Sequence, residues 1–400
     1  MFLLSMAIRN LMNRKLQSVV IMIIIMTGIA IAQSVTLISD GLKEGMKQTS
    51  GPFGMLVGSK GSSTQLVMNT IFLSDTPLAN LDYGFFEKVD NDPRVKLAVP
   101  FGLGDQYKGF RIVGTNQDFF QLKAKQSDPP FFRLESGRLF QQPYETVIGA
   151  ETSRQGHMKI GDSFFARHGV VETKDEGSMH KDHPYQVVGI MAPTQTSADL
   201  GIYTPLDSYW ISHHSKETGS IRGVTSILVN PDSIEHLYRL YQEINLSKEA
   251  QAVFPGKVIA GWFDMIGNAE IVLSWISYAV MGVAVLSILL SLYGSMLERR
   301  RTISILRAIG ASRRQLLTIV FIETFGLIVM GLILGTAAGN GFAEGMAVFL
   351  VKKQHVSFVP VYEWKLSALW MTVIVIGFIG SAVPALAAYR TEAAKYLNPV

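Results

Sequence analysis

Apolar residues fall in four long runs, and polar residues gather in one large block between the first two runs. Leu16 to Ile38 contains no charged residue. At ~1.5 Å per residue such a run crosses a hydrocarbon core of about 30 Å. The pattern predicts membrane helices at 16–39, 269–297, 316–350 and 365–388. The third run is longer than a bilayer needs, so it should project, tilt or break. Ahead of the first run, residues 1–15 place Leu4, Ala7, Ile8, Leu11 and Met12 on one helical side and Ser5, Arg9, Asn13 and Arg14 on the other. This predicts an amphipathic interfacial helix. A signal peptide cleaved near Ala30-Ile31-Ala32 is the competing reading; the length of the run and the helix ahead of it argue against that.

The polar block, 40–268, alternates short strand-like runs with Gly, Pro, Asp and Asn turns. Strands are expected at 111–114, 146–148, 185–191 and 225–229, and helices at 84–89 and 233–243. In the second helix Asp232 or Ser233 is the N-cap, and Leu237, Leu240, Tyr241 and Ile244 form the buried side. A mixed α/β domain of two lobes is expected. Residues 351–364 form a short outer connector and 389–400 a cytoplasmic tail. The fold class is therefore an α-helical membrane domain of four transmembrane helices with both termini cytoplasmic. A large α/β extracytoplasmic domain is inserted between helices 1 and 2.

Charge sets this orientation. Residues 298–315 carry Arg299, Arg300, Arg301, Arg307, Arg313 and Arg314 beside a single acid, Glu298. Clustered arginine near span ends marks the cytoplasmic side. Ile303, Leu306 and Ile309, with Ala308 and Gly310, recur there at helical spacing, which predicts a short amphipathic docking helix. In the third run Gly331, Gly335 and Gly339 repeat every four residues, with Gly326 ahead of them, and form a ridge that permits close helix approach. A partner protomer's first and second spans are the expected occupants of that ridge. Glu323 lies just inside the same run and should face another helix or the headgroup zone, most simply holding helices together by a hydrogen bond.

Composition narrows the function classes. The chain has 400 residues, 48% of them hydrophobic, and a mean hydropathy of +0.25, which is too apolar for an ordinary soluble protein. The net charge of +4 follows from membrane topology, and no nucleic-acid partner is expected. Cysteine is absent, which excludes disulfides and thiol catalysis. Gly54 to Gly61 lacks the spacing of a phosphate-binding loop and reads as a turn or partner-contact loop, so no cofactor is expected in this chain. There is no G-x-S-x-G, and no hydrolase triad is legible. His157, His168, His180, His183, His213, His214 and His236 gather in the polar block without diagnostic metal spacing, and no metal site is expected.

Glu298 to Gly339, followed by Pro384 to Arg390, resembles the FtsX-like/MacB-type (LolC/LolE-like) permease family of ABC transporters. Ile305 to Ala311 matches that family's I-L-R-A-I-G-A segment, and Glu323 falls on its glutamate. The family acid before the isoleucine is replaced here by Thr302 or Ser304. Leu56 to Ser62, Ser136 to Phe140, Val147 to Gly149, Ile160 to Asp162 and Val187 to Ile190 resemble landmarks of the external domain. The resemblance implies a permease without enzymatic activity, paired with a second protomer in a homodimer. It implies a separate ABC-type ATPase that binds ATP and Mg. Arg301, Ile303, Leu306, Arg307, Ile309, Gly310 and Arg313 would form the ATPase-coupling surface. An external domain that moves when ATP is bound, acting on a periplasmic adaptor or lipoprotein, would make the chain a mechanotransmitter in a bacterial plasma membrane. FtsX-like signalling to a cell-wall hydrolase or sensor is the alternative function, and metal-related transport through the histidine-containing loops a minor one.

Overall fold

The computed structural model describes residues 2–13, 15–125, 127–169, 183–212, 222–308, 312–354, 358, 361 and 364–389. Helices α1 (Phe2–Asn13) and α2 (Lys15–Ser50) lead into β1 (Met55–Ser59), α3 (Ser63–Thr70), β2 (Leu81–Asp82) and α4 (Tyr83–Asp90). There follow β3 (Val95–Tyr107), β4 (Phe110–Thr115), β5 (Leu134–Gly137), β6 (Glu145–Ile148), α5 (Ala150–Gly156), β7 (Ser163–Phe164), β8 (Arg167–His168), β9 (Tyr185–Met191), β10 (Gly201–Pro205) and α6 (Leu206–Ser212). The chain continues through β11 (Gly223–Val224), β12 (Ser226–Pro231), α7 (Ile234–Leu246) and β13 (Ala250–Val253) to α8 (Pro255–Ala308), α9 (Arg313–Gln354) and α10 (Trp364–Tyr389).

Two compact units result. One comprises Met1–Asp40, Ile266–Ala347 and Pro360–Val400; the other comprises Gly41–Met265 and Val348–Val359. The connector expected at 351–364 is thus divided, and Phe358 packs against α2 inside the second unit. A Cβ at Gly41 would lie 2.5 Å from the Phe358 ring.

The second unit is built on a sheet of order β13-β1-β12-β3-β4-β10-β6-β9-β5. Its two expected lobes meet in β3. Val95 to Phe101 of that strand pairs with β12, and Gly102 to Tyr107 pairs with β4, with a register shift between Leu103 and Asp105. One core, with Met55, Val57, Phe86, Ile227 and Leu240, lies on the β12 side. Another, with Ile112, Ile148, Phe164, Tyr185 and Ile202, lies on the β4 side. An aromatic stack joins the intervening loops: Phe119 lies 4.2 Å from Phe132 and 4.6 Å from Tyr203, centroid to centroid.

The expected strands and helices of this domain are present with small end shifts. Ser233 caps α7 by accepting from the His236 N–H, and Leu240 and Ile244 are buried. The turn or loop expected at Gly54 to Gly61 is a correction. Met55 to Ser59 is a wholly buried strand paired on both sides, by β12 and β13. Flanking glycines and Lys60 disguise a short apolar run whose burial on both faces removes the alternation that marks a strand. The strand β3 escaped sequence reading because Pro100, Gly102 and Gly104 punctuate it.

Glu145 ties the turn between β5 and β6. Its carboxylate accepts from Arg138 Nη1 at 2.7 Å and Nη2 at 2.5 Å, and from the Gln141 N–H at 2.7 Å. The bidentate guanidinium holds its pKa down to about 2. Gly137, at φ +81°, must stay without a side chain, because a Cβ would collide with the Val188 carbonyl.

The depressed pKa sets a sign. Unfolded Glu titrates near ~4.3, so the folded state binds fewer protons between that value and about 2. The stabilisation is complete above the unfolded pKa and is lost as pH falls through the folded one. Arg138 is half exposed, so solvent screens the pair and its contribution is small. Arg138→Gln should therefore lower the melting temperature at pH 7, and its difference from wild type should shrink from pH 4.5 downward, as measured by thermal unfolding of the purified chain.

Candidate functional site

Two features of the first unit answer to the sequence expectations: the basic segment and the glycine ridge. The basic segment is not the separate helix expected over 298–315. Helix α8 runs unbroken through the expected end of the second run to Ala308, and α9 starts at Arg313. No breaker separates Leu297 from Glu298, so helical geometry continues across that junction. The break falls instead ahead of a capping box. Ser312 Oγ accepts from the Gln315 N–H at 3.2 Å, and Gln315 Oε1 accepts from the Ser312 N–H at 2.9 Å. Arg301, Ile303, Leu306 and Arg307 occupy the last turns of α8, and Arg313 opens α9. Their side chains, and Ile309 and Gly310 altogether, lie outside the described residues. The S-x-x-Q signature of Ser312 to Gln315 is the local sequence mark of this helix start.

The glycine ridge is filled from within the chain. A Cβ on Gly331 would lie 2.6 Å from Ile25 Cγ2; on Gly335, 2.8 Å from Ile29 Cβ and 2.9 Å from the Met26 carbonyl; on Gly339, 3.1 Å from the Ala30 carbonyl. This corrects the expectation that a partner protomer's spans occupy the ridge. A small-residue ridge reports that some helix comes close but carries no information about which one. Gly326 has open space where its Cβ would be and takes no part. Glu323 is buried beside buried Thr324, in keeping with a helix facing other helices.

The order of contacts fixes direction. Residues 331, 335 and 339 meet 25, 29 and 30–33, so α9 runs parallel to α2. Leu366 packs with Leu37 and Ala343, whereas Val373 packs with Ile25 and Ile328 and Phe378 meets Phe321, so α10 runs antiparallel to both.

Above the ridge sits a polar node that sequence reading missed. Gln33 is 1% exposed. Its Nε2 donates to Asn340 Oδ1 at 2.7 Å, and its Oε1 accepts from Trp370 Nε1 at 3.1 Å. Ser34 Oγ donates to the Gly339 carbonyl at 3.2 Å. Helices α2, α9 and α10 are thereby hydrogen-bonded together. A buried amide in apolar surroundings is costly unless paired, and Gln33-Ser34 within an uncharged run was the available signal. Lower-numbered α8 joins through Glu270, whose Oε2 accepts from Ser39 Oγ at 2.5 Å. Trp275 and Tyr278 on α8 are exposed, as expected of residues at a membrane interface.

The described histidines are dispersed. His157 ends α5 in the left-handed conformation, His168 lies 3.2 Å from Asp105, His183 stacks on Tyr144, and His236 lies 2.6 Å from Asp232. Among the described residues no group of three or more potential ligands comes together. His180, His213 and His214 lie outside them.

Because the ridge closes within one chain, Gly335→Leu should destabilise the monomer by about 3 kcal/mol through overpacking against Ile29 and the Met26 backbone. Thermal unfolding in detergent should show a lower melting temperature at every protein concentration. An unchanged melting temperature with dissociation of an oligomer would contradict the intrachain seam.

Among the described residues, Lys15–Ser50 and Phe321–Leu350 are long and apolar enough to cross a membrane, and Leu366–Val375 is a shorter apolar stretch. Residues 18–244 match the MacB-like periplasmic core domain, and residues 274–393 match the FtsX-like permease C-terminal region. The uncharacterized ABC transporter permease YknZ of Bacillus subtilis (strain 168) is 23% identical over 362 residues, which is 85% of each chain. The extracellular domain of the noncanonic ABC-type transporter YknZ from Gram-positive bacteria is 13% identical, with a TM-score of 0.31, covering 50% of this chain and 98% of that one. A domain of a putative permease protein from Porphyromonas gingivalis is 14% identical, with a TM-score of 0.28, covering 50% of this chain and 89% of that one. Carrying a periplasmic core domain followed by a permease region, this chain belongs to the MacB-like, FtsX-like family of membrane-bound ABC transporter permeases.

Proposed function

We propose that the chain is the transmembrane permease subunit of an ABC transporter and acts by mechanotransmission. A separate ABC-type ATPase binds ATP and Mg, grips the basic segment, and hydrolysis there moves the extracytoplasmic domain to export or extract a substrate. The observation that carries this reading is the continuity of α2 and α8. Each is one helix from its apolar run to the strands of the sheet, α2 ending at Ser50 ahead of β1 and α8 starting at Pro255 just after β13. At ~1.5 Å per residue, 36 and 54 helical residues exceed the roughly 20 that a membrane requires. Only the short turn at 51–54 separates α2 from β1, and only Phe254 separates β13 from α8.

In this reading four helices span a bacterial plasma membrane with both termini cytoplasmic. The arginines of 299–314 supply the orientation, and the parallel α2 and α9 with antiparallel α10 agree with it. A second permease protomer completes the assembly. With the glycine ridge already filled, it would use another face; α8 exposes Ile271, Val272, Ile276 and Val283 to lipid or to such a neighbour. A periplasmic adaptor or lipoprotein would receive the motion.

The coupling reading is tested at Leu306. Leu306→Asp places a charge in the apolar stripe of the basic segment without altering the spans. Co-purification of the ATPase should fall at least about tenfold, and permease-stimulated ATP hydrolysis should return to the ATPase's own rate, while the variant still reaches the membrane. Undiminished ATPase capture and stimulation would refute it.

A further inference from the structure

Helix α2 is attached to the second unit in two ways, and only one of them is the chain itself. Its last residues, Gly41 to Ser50, belong to that unit, and the backbone then enters β1. β1 lies in the lobe on the β12 side. In the sheet β12, β3 and β4 separate it from β10, which belongs to the other lobe. Four steps of ~4.8 Å put β10 about 19 Å from β1 along the sheet. The second attachment reaches β10 without using that ladder.

Gln48, half-buried in the last turn of α2, donates from Nε2 to the Thr194 carbonyl at 3.1 Å. Thr194 lies in the segment 192–200 that joins β9 to β10. That segment is drawn round one buried carboxylate. Asp199 accepts from the Thr194 N–H at 2.9 and 3.0 Å, from Thr194 Oγ1 at 2.7 Å and from the Gln195 N–H at 2.8 Å. Gln195 is held at φ +57°, which a residue with a side chain keeps where its surroundings fix it. Tyr203 of β10 donates from its hydroxyl to the Ala198 carbonyl at 3.0 Å. The carbonyl that Gln48 holds thus belongs to a braced segment. An aromatic route runs beside the polar one. Phe53, three residues past α2, stands 6.2 Å from Phe132, which stacks on Phe119, which stacks on Tyr203. All four rings are buried. Both routes leave the end of α2 and finish on Tyr203.

We propose that the 192–200 segment is a coupling strap. Gln48 and Phe53 fasten the end of α2 to β10, so a displacement of α2 reaches the far lobe directly as well as through β1. What the strap conveys rests on the mechanotransmission reading; that it fastens α2 to β10 does not.

Gln48→Met keeps a long, helix-compatible side chain and removes the donor, and Phe53→Leu keeps an apolar residue and removes the ring. Hydrogen exchange read by mass spectrometry on the full chain in detergent tests the fastening without any ATPase. In the double variant the amides of 194–203 should exchange at least about tenfold faster, whereas those of β1 and β12 keep their wild-type protection. Asp199→Asn, made from the other end, should in turn speed exchange at 45–53. Unchanged exchange at 194–203 in the double variant would overturn the proposal. So would equal acceleration throughout the second unit, or no response at 45–53 in Asp199→Asn. A second measurement reads what the strap conveys. The chain has no cysteine, so Lys88→Cys and Lys159→Cys, exposed in the two lobes, carry a single pair of spin labels. With the ATPase bound, ATP should change their separation in the otherwise wild-type chain, and the double variant should lose that change while hydrolysis continues. The full change in the double variant would contradict the strap's role. No change in either chain would contradict the mechanotransmission reading, with the fastening still decided by exchange.

Discussion

The close approach of α9 to α2 is the constraint on which the first unit depends. In lipid there is no hydrophobic gain from bringing two apolar helices together, so the association must come from dispersion and hydrogen bonds. Glycines at 331, 335 and 339 let Ile25 and Ile29 sit against bare backbone, and a ridge of four-residue period meets a matching row on α2. The same seam sets direction, since only a parallel pair brings 331, 335 and 339 successively to 25, 29 and 33. Gln33 then extends the seam to α10 through Trp370. Packing and polar pairing lie next to one another, with Ser34 bonded to the Gly339 carbonyl between them.

A comparable shared element organises the second unit. One strand, β3, is divided between two neighbours, so its first half belongs to one core and its second half to another. The two lobes are joined by continuous backbone and share ladder hydrogen bonds, which is a stiffer junction than a linker. Both long helices enter this unit at the β13-β1 side of the sheet, where β1 is paired with β13.

What the sequence disclosed follows the physics of each signal. Capping side chains are local, so Ser233 and the buried side of α7 were legible, as were strands such as Tyr185–Met191, which carries Tyr185, Val187, Val188 and Ile190. Met55–Ser59 was not, because burial on both faces erases period-two alternation and its glycine mimics a turn. The apolar runs located the long helices but not their ends. Hydropathy stops at the membrane boundary, whereas helical geometry in α2 and α8 continues until a cap or breaker intervenes. The glycine ridge was visible as a ridge, but its occupant was assigned to a partner because intrachain and interchain contacts leave the same small-residue pattern. Gln33 was passed over since one amide hardly alters the hydropathy of its run; its meaning appears only with Asn340 and Trp370 beside it.

Disulfide trapping across the α2–α9 seam tests the central claim most directly. The chain has no cysteine of its own, and Gln33 and Asn340 touch at 2.7 Å, so Gln33→Cys with Asn340→Cys places a single pair in the seam. Oxidised in native membranes, this variant should yield a species of monomer mass in which the two peptides are joined. A linked species of dimer mass, with the monomer left uncrosslinked, would show that the ridge is filled by a second chain and would contradict the account.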